Sequence, residues 1–221
     1  MLHLRSLSKR FGTTPVFQDV TLDLQRGEFV ALLGESGVGK STLLNCIAGL
    51  DEADSGEVRI DAQPLARLND DARARLRRRQ LGFVFQAFHV LPHLTVAENV
   101  GLPLQLLKRP DAQRVQAVLD AVGLGELAAR LPAQLSGGQL QRVAIARAVV
   151  HAPGLILADE PTGNLDPTTA DKVLAVLREQ VQSAGSACLL VTHSAAAAAA
   201  ADRVLRLTPT GIEPAAARVP P

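Results

Sequence analysis

The 221-residue sequence contains two cysteines, one methionine, no tryptophan and no tyrosine, and its formal net charge is only +1. Each shortage excludes something. Cys46 and Cys188 lie far apart, each inside an apolar run and neither in a metal-ligand spacing, so a disulfide framework and a metal-binding cysteine module are both excluded. They read as reduced core residues of a protein from a reducing compartment. With so little net charge, nucleic acid is not an expected partner. The one dense basic run, "RARLRRR" at 73–79, reads as a solvated helix face. No segment reaches the roughly 18 apolar residues that a membrane span needs, and the opening "MLHLRSLSKR" lacks the long apolar stretch of a signal peptide. If this chain serves a membrane, another chain must supply the membrane part.

What is present points to a folded domain. At 47% hydrophobic and 20% charged residues, the composition excludes disordered and collagen-like classes and allows one large core, with or without an inserted lobe. Short β-type runs dominate the first 86 residues: "LHLRSL" near the start, "VTLDL" at 20–24, "FVALL" at 29–33, "VRI" at 58–60 and "LGFVF" at 81–85. Residues 95–150 carry a helical pattern, with Pro110 and Asp111 opening one helix and Gly123 stopping it after Val122. Strand-like runs then return at 155–158, 187–191 and 203–207, and a helix starts near Asp166, whose neighbour Pro167 suits a first helical position. The seven alanines at 195–201 read as a short crossover helix. The pattern is an α/β core interrupted by a helical lobe. The last strand is followed closely by the terminal "VPP", which suggests no regulatory tail.

Residues 34–41, "GESGVGKS", match G-x-x-x-x-G-K-[ST] between an apolar strand and a helix bearing Leu43, Leu44 and Ile47 on one face. The glycines let backbone N–H groups curl around an anion at a helix N-terminus, where the helix dipole also favours negative charge. The candidate phosphate-binding set is Gly34, Glu35, Ser36, Gly37, Val38, Gly39, Lys40, Ser41 and Thr42. Lys40 supplies a mobile charge for the β- and γ-phosphates of a nucleotide, and the Ser41 hydroxyl is a ligand for Mg²⁺. A second motif, "LILADE" at 155–160, ends a buried strand in two carboxylates. Asp159 is the candidate Mg²⁺ partner, and Glu160 the candidate group to orient or deprotonate an attacking water.

A third stretch is unexplained by a single nucleotide site. In "LSGGQLQR" at 135–142, two glycines open what is otherwise a strong helix. Together with Phe11 in "KRFG", Gln86 in "GFVFQ", "NLD" at 164–166 and His193 in "VTH", these motifs in this order resemble the ATP-binding subunits of ABC transporters over essentially the whole chain.

The resemblance implies a P-loop NTPase (RecA-like) α/β core with an N-terminal antiparallel β subdomain and an inserted α-helical subdomain. One ABC ATPase domain would span 1–221, its core formed by 1–86 and 155–221 and its helical part, with the signature motif, by 87–154. It further implies ATP and Mg²⁺ as cofactors and a head-to-tail dimer in which Ser136, Gly137, Gly138 and Gln139 of one copy close over the ATP of the other. Phe11 would stack on adenine, where many relatives carry tyrosine; Gln86 would reach the Mg²⁺ or the attacking water. His193 would hold the γ-phosphate and Glu160 in register, and Asp166 would lie at the dimer seam or cap its helix. Ser194 departs from the aspartate that many relatives have after the histidine. An integral membrane permease would be the second partner, with this chain peripheral on the cytoplasmic face of the inner membrane. The apolar stretch 87–104 would be either lobe core or a groove for that partner. It and "PTGNLD" at 161–166 look most like the lipoprotein-releasing and macrolide-exporting subgroup, with amino-acid importers as close relatives. A soluble ABC protein of translation or DNA repair would need tandem cassettes or a long insertion; a P-loop kinase or GTPase would lack the signature.

Overall fold

A computed structural model describes residues 1–163 and 165–215, without the side chain of Gln180; Asn164 of the "NLD" motif and the terminal "VPP" lie outside the described residues. Two sheets organise the chain. Strands β1 (Leu2–Phe11), β2 (Thr14–Leu24), β4 (Ser55–Ile60) and β5 (Gln63–Pro64) form an antiparallel sheet in the order β2-β1-β4-β5. The larger sheet runs β10-β9-β3-β8-β7-β6. It comprises β3 (Phe29–Leu33), β6 (Leu81–Val84), β7 (Leu155–Asp159), β8 (Ala187–Val191), β9 (Arg203–Thr208) and β10 (Gly211–Pro214). Only β10, joined to β9 by a hairpin, is antiparallel.

The central strands are nearly continuous apolar runs because both faces of this sheet are covered. Along β7 the pleat sends Leu155 and Leu157 to one side and Ile156 and Ala158 to the other. On the first side they meet Leu43, Leu44 and Ile47 of α1 (Lys40–Ala48) and the inner face of the antiparallel sheet. On the second side they meet α5 (Gly137–Val149) and α6 (Pro167–Ala184).

Between β6 and β7 the chain forms α3 (Val96–Leu106), α4 (Ala112–Ala121) and α5. Thr95 and Glu98 make a reciprocal capping box that starts α3, and Asp111 caps α4 by accepting from the Arg114 N–H. Gly123, at φ 67°, follows the end of α4 as the sequence suggested. The arginine run lies on α2 (Asp70–Gln80), a helix capped by Asn69. The alanine run yields a helix, α7, over only Ala195–Ala199, capped by Ser194. Both cysteines are buried and free, and burial pushes the Cys46 thiol up to about 11. Among the described residues, no helix is long and apolar enough to cross a membrane.

Candidate active site

Three adjacent strands end level with one another. Val191 of β8 pairs with Leu32 of β3 on one side and with Asp159 of β7 on the other. Residues just beyond these strand ends therefore share one edge of the sheet, the position where α/β sheets build their sites. A cleft of about 770 Å³ opens there, lined by Phe11, Val16, Ser36, Gly37, Gly39, Lys40, Ser41, Thr42, Gln86, Asp159, Glu160 and His193.

The loop from Gly34 to Gly39 carries the chain from β3 into α1. A Cβ on Gly34 would stand 2.9 Å from Val38 Cγ1 and 3.2 Å from the Leu207 carbonyl. At Gly39 the constraint is double: φ is 97°, and a Cβ would meet Val16 Cγ1 at 2.4 Å. Gly39 also occupies the N-cap of α1, where no side chain caps the helix and no acidic residue lies in the first turn. The first-turn N–H groups thus have no side-chain acceptor and point at the cleft as an anion cradle. Lys40 arches over this loop, donating to the carbonyls of Gly34 at 2.9 Å and Glu35 at 2.8 Å.

Asp159 ends β7 and is only 7% exposed. Burial pushes its carboxyl above the ordinary value, opposed by a hydrogen bond from Ser41 and the charge of Lys40, while Glu160 adds to the rise. A buried carboxylate beside a hydroxyl, with the Gln86 amide on the same cleft, is a set of hard oxygen donors, and it fits a small divalent cation such as Mg²⁺.

Glu160 turns sharply out of β7, with φ 47° and its N–H donated to the Val191 carbonyl at 2.9 Å. Its carboxylate is held from the β8 side: His193 Nδ1 lies 2.8 Å from Oε1, while the Thr192 hydroxyl donates to Oε2 at 3.3 Å and the His193 N–H at 3.4 Å. The His193 side chain is 73% exposed, so the ring bridges this carboxylate and the open cleft. Phe11 is 59% exposed at the end of β1, presenting an aromatic face with the Lys9 ammonium 5.2 Å from its centroid.

The signature residues are elsewhere. Ser136, Gly137, Gly138 and Gln139 form the start of α5 and do not line the cleft. Ser136 caps the helix, accepting from the Gln139 N–H at 3.3 Å, and Gln139 Oε1 accepts from the Ser136 N–H at 2.8 Å. Neither Gly137 nor Gly138 has positive φ. A Cβ on Gly137 would meet nothing closer than Phe88 Cζ at 3.8 Å, an ordinary contact; on Gly138 it would reach Leu165 Cδ2 at 3.2 Å. The fold of this chain therefore does not require glycine at 137. Asp166 is also outside the cleft, capping α6 by accepting from the Thr169 N–H at 3.0 Å.

Three residues with a place in this geometry were given no role from the motifs. Val16 walls the cleft against Gly39, and Thr192, inside "VTH", holds Glu160. Arg147, near the end of α5, donates to the carbonyls of His89 at 2.8 Å and Phe88 at 3.2 Å, tying the helix that begins at Gly137 to the segment that follows Gln86.

The sequence matches the ABC transporter family over residues 17–163, well over half of the chain. It is 46% identical over 214 residues to the lipoprotein-releasing system ATP-binding protein LolD of Pseudomonas syringae pv. tomato, covering 94% of each chain. It is 48% identical over 195 residues to the uncharacterized ABC transporter ATP-binding protein YbbA of Escherichia coli K12, covering 87% of this chain and 86% of that one. It is also 45% identical over 205 residues to the macrolide export ATP-binding/permease protein MacB of Syntrophobacter fumaroxidans, covering 90% of this chain but 29% of that longer protein. In three dimensions it resembles the dimeric structure of MJ0796, a bacterial ABC transporter cassette, with a TM-score of 0.90, 39% identity and coverage of 96% and 97%. The post-hydrolysis dimer of the same cassette, bound to ADP and Pi, scores 0.89 with the same identity and coverage. Cleft, strand ends and relatives agree: the chain belongs to the ABC transporter family and is one of its ATP-binding, ATP-hydrolysing subunits.

Proposed function

We propose that two copies of this chain close head to tail around two ATP molecules and drive a separate membrane subunit of the lipoprotein-releasing or efflux type. The observation that carries this reading is the bare start of α5. Gly137 lies outside the chain's own cleft and its backbone conformation does not demand glycine, which supports a role for the bare backbone toward an external group. An anion cradle at a helix N-terminus suits the terminal phosphate of a nucleotide held by another copy.

In the closed dimer, Ser136 and the N–H groups of Gly137 and Gly138 reach the γ-phosphate seated in the Gly34–Thr42 loop of the opposite copy, with Gln139 holding Ser136 in place. Charge-assisted hydrogen bonds contribute about 1.5–3 kcal/mol each. A few at each of two sites exceed the roughly 5.5 kcal/mol that moves a two-state equilibrium from 1:99 to 99:1. ATP thereby joins the halves, and loss of the γ-phosphate lets them part.

Within each site, Phe11 stacks on adenine and Lys40 moves from the loop carbonyls to the β- and γ-phosphates. Ser41, Asp159 and Gln86 are the residues that would hold Mg²⁺, which when bound offsets charge on the phosphate oxygens. Glu160 accepts the proton of the attacking water, and His193, hydrogen-bonded to it, contacts the γ-phosphate. Asp166, at the start of α6, faces the seam. The dimeric MJ0796 cassettes support the pairing. The names of LolD and MacB support a membrane partner and the subgroup, and with them a place on the cytoplasmic face of the membrane.

The test is a Glu160→Gln variant, which binds ATP but cannot activate water. With ATP it should elute as a dimer on size exclusion, and adding Gly137→Asp should return it to a monomer that still binds ATP. A Glu160→Gln, Gly137→Asp protein that dimerises as well as the single variant would refute the proposed closure.

A further inference from the structure

Next to the exposed ring of Phe11 stands a cation that the ATP site does not use. Lys9 does not line the cleft, and only 10% of its side chain is exposed. Its ammonium, 5.2 Å from the Phe11 centroid, donates to Asp51 Oδ1 at 2.8 Å and to the Glu52 carbonyl at 2.6 Å. An ammonium has three donors and no acceptor, so with two of them fixed by oxygens the charge is held in one place over the ring. At this separation the ring quadrupole attracts the cation.

The oxygens that fix Lys9 belong to the segment 51–54, which follows α1. That segment grips the end of β1 at two further points: the Arg10 N–H donates to Asp54 Oδ2 at 2.7 Å, and the Asp54 N–H donates to the Ser8 carbonyl at 2.9 Å. Asp51 is itself steadied by the Glu52 N–H, 2.7 Å from Oδ1. Helix α1 begins at the phosphate loop, and the chain that leaves its other end anchors the residues around Phe11. The ring and the phosphate cradle are thus tied to the same helix.

We propose that Lys9, held by Asp51, is a positioning residue for the nucleotide base, fixing the Phe11 ring as a stacking platform. The inference rests on the reading of Phe11 as the adenine-stacking residue and adds what holds that ring ready. A phenyl side chain that is 59% exposed has little packing to set its χ angles, so without a fixed neighbour it would lose rotamer freedom when the base arrives. The cation imposes that order beforehand. It also draws π density away from the ring, which lowers the repulsion between the stacked faces of phenyl and purine. With no hydroxyl, Phe11 cannot be anchored by a hydrogen bond, and Lys9 supplies the fixed contact instead.

The experiment is a double-mutant cycle on the full chain, read by titration calorimetry with ATP and Mg²⁺. Phe11→Ala should weaken ATP binding by about 10-fold or more, the loss of a stacked base. Lys9→Met, which keeps the length of the stem without the charge, should weaken it by about 3- to 30-fold. In the Phe11→Ala background the same change should alter affinity by less than about two-fold, because the cation acts through the ring. Lys9→Arg, whose guanidinium also lies over aromatic faces, should restore most of the affinity. At saturating ATP the Lys9→Met chain should turn over at the wild-type rate with a raised KM, since base binding is the same in ground and transition states. Inorganic triphosphate, which has no base, should bind wild type and Lys9→Met equally. An undiminished effect of Lys9→Met in the Phe11→Ala background would overturn the proposal, as would an equal loss of affinity for inorganic triphosphate; either would assign Lys9 to the fold or to the phosphates. Loss of ATP affinity in Phe11→Ala but not in Lys9→Met would refute this proposal alone, whereas unaltered affinity in Phe11→Ala would refute the stacking reading and this proposal with it.

Discussion

The imidazole of His193 and the carboxylate of Glu160 stand 2.8 Å apart although 33 residues separate them, because β7 and β8 end at the same level of the sheet. Glu160 is fixed by this hydrogen bond and by Thr192, in a backbone conformation that few non-glycine residues adopt. Replacing His193 with alanine removes the bond to Oε1 and leaves the longer, weaker bonds to Oε2. Phosphate release by His193→Ala should fall by about 100-fold or more in turnover, with little change in the affinity for ATP. A variant with wild-type turnover would remove His193 from the chemistry.

Lys40 bridges two loop carbonyls and is the cation nearest the phosphate cradle. Its ammonium can offer the β- and γ-phosphates two charge-assisted hydrogen bonds, and removing both, at about 1.5–3 kcal/mol each, weakens affinity by at least about 100-fold. Titration calorimetry of Lys40→Ala with ATP should therefore show no measurable binding at concentrations that saturate wild type, while its circular dichroism stays unchanged.

Asp159 predicts opposite effects on stability and activity. Burial raises its folded-state pKa above the unfolded value, so the protonated form is favoured by folding and that contribution is lost as pH rises through the folded pKa. At neutral pH the ionised carboxylate thus weakens the fold. Asp159→Asn should unfold at higher denaturant at pH 7, and the gain should shrink as pH falls through the folded pKa and vanish well below the unfolded value of about 3.9, where wild type is protonated in both states. Its Mg²⁺-dependent ATPase activity should fall by about 100-fold or more. A variant less stable than wild type at both neutral and acidic pH would contradict the assignment of burial as the dominant influence on this carboxyl.

Two glycines test local against intermolecular constraint. Gly39→Ala, with φ of 97° and a clash against Val16, should destabilise the chain by at least about 1–2 kcal/mol and deform the phosphate loop. Gly137→Ala sits in a helix with room for the methyl group and should leave thermal stability unchanged or raised by up to about 1 kcal/mol. Even so, it should reduce ATP-dependent dimerisation of the Glu160→Gln chain. Equal losses of thermal stability in the two variants would mean that glycine 137 serves the fold after all.

Much of the core was legible in one dimension. The runs at 29–33, 155–159 and 187–191 are buried on both faces, and such strands read as uninterrupted apolar stretches. The starts of α4 and α6 were legible because caps act within three residues, as Asp111 and Asp166 do. The region 95–150 was harder. Its helical pattern gave α4 and the start of α5, but not the bounds of α3 or the one-turn 3₁₀ segments between α4 and α5, which depend on packing in the second core cluster. The short edge strands β5 and β10 gave no apolar pattern, since edge pairing needs backbone geometry rather than side-chain burial.

The chemistry-bearing residues and the local backbone demands were written in the chain itself, because a glycine-rich anion loop, an acid pair after a buried strand and a capping box each act over a few neighbouring residues. Distances between segments were not. That His193 reaches Glu160, that Val16 closes against Gly39, and that the start of α5 stands away from its own cleft follow from strand order and register. Those are set by how two hydrophobic clusters pack on opposite faces of one sheet, a cooperative outcome of the whole chain that no local pattern encodes.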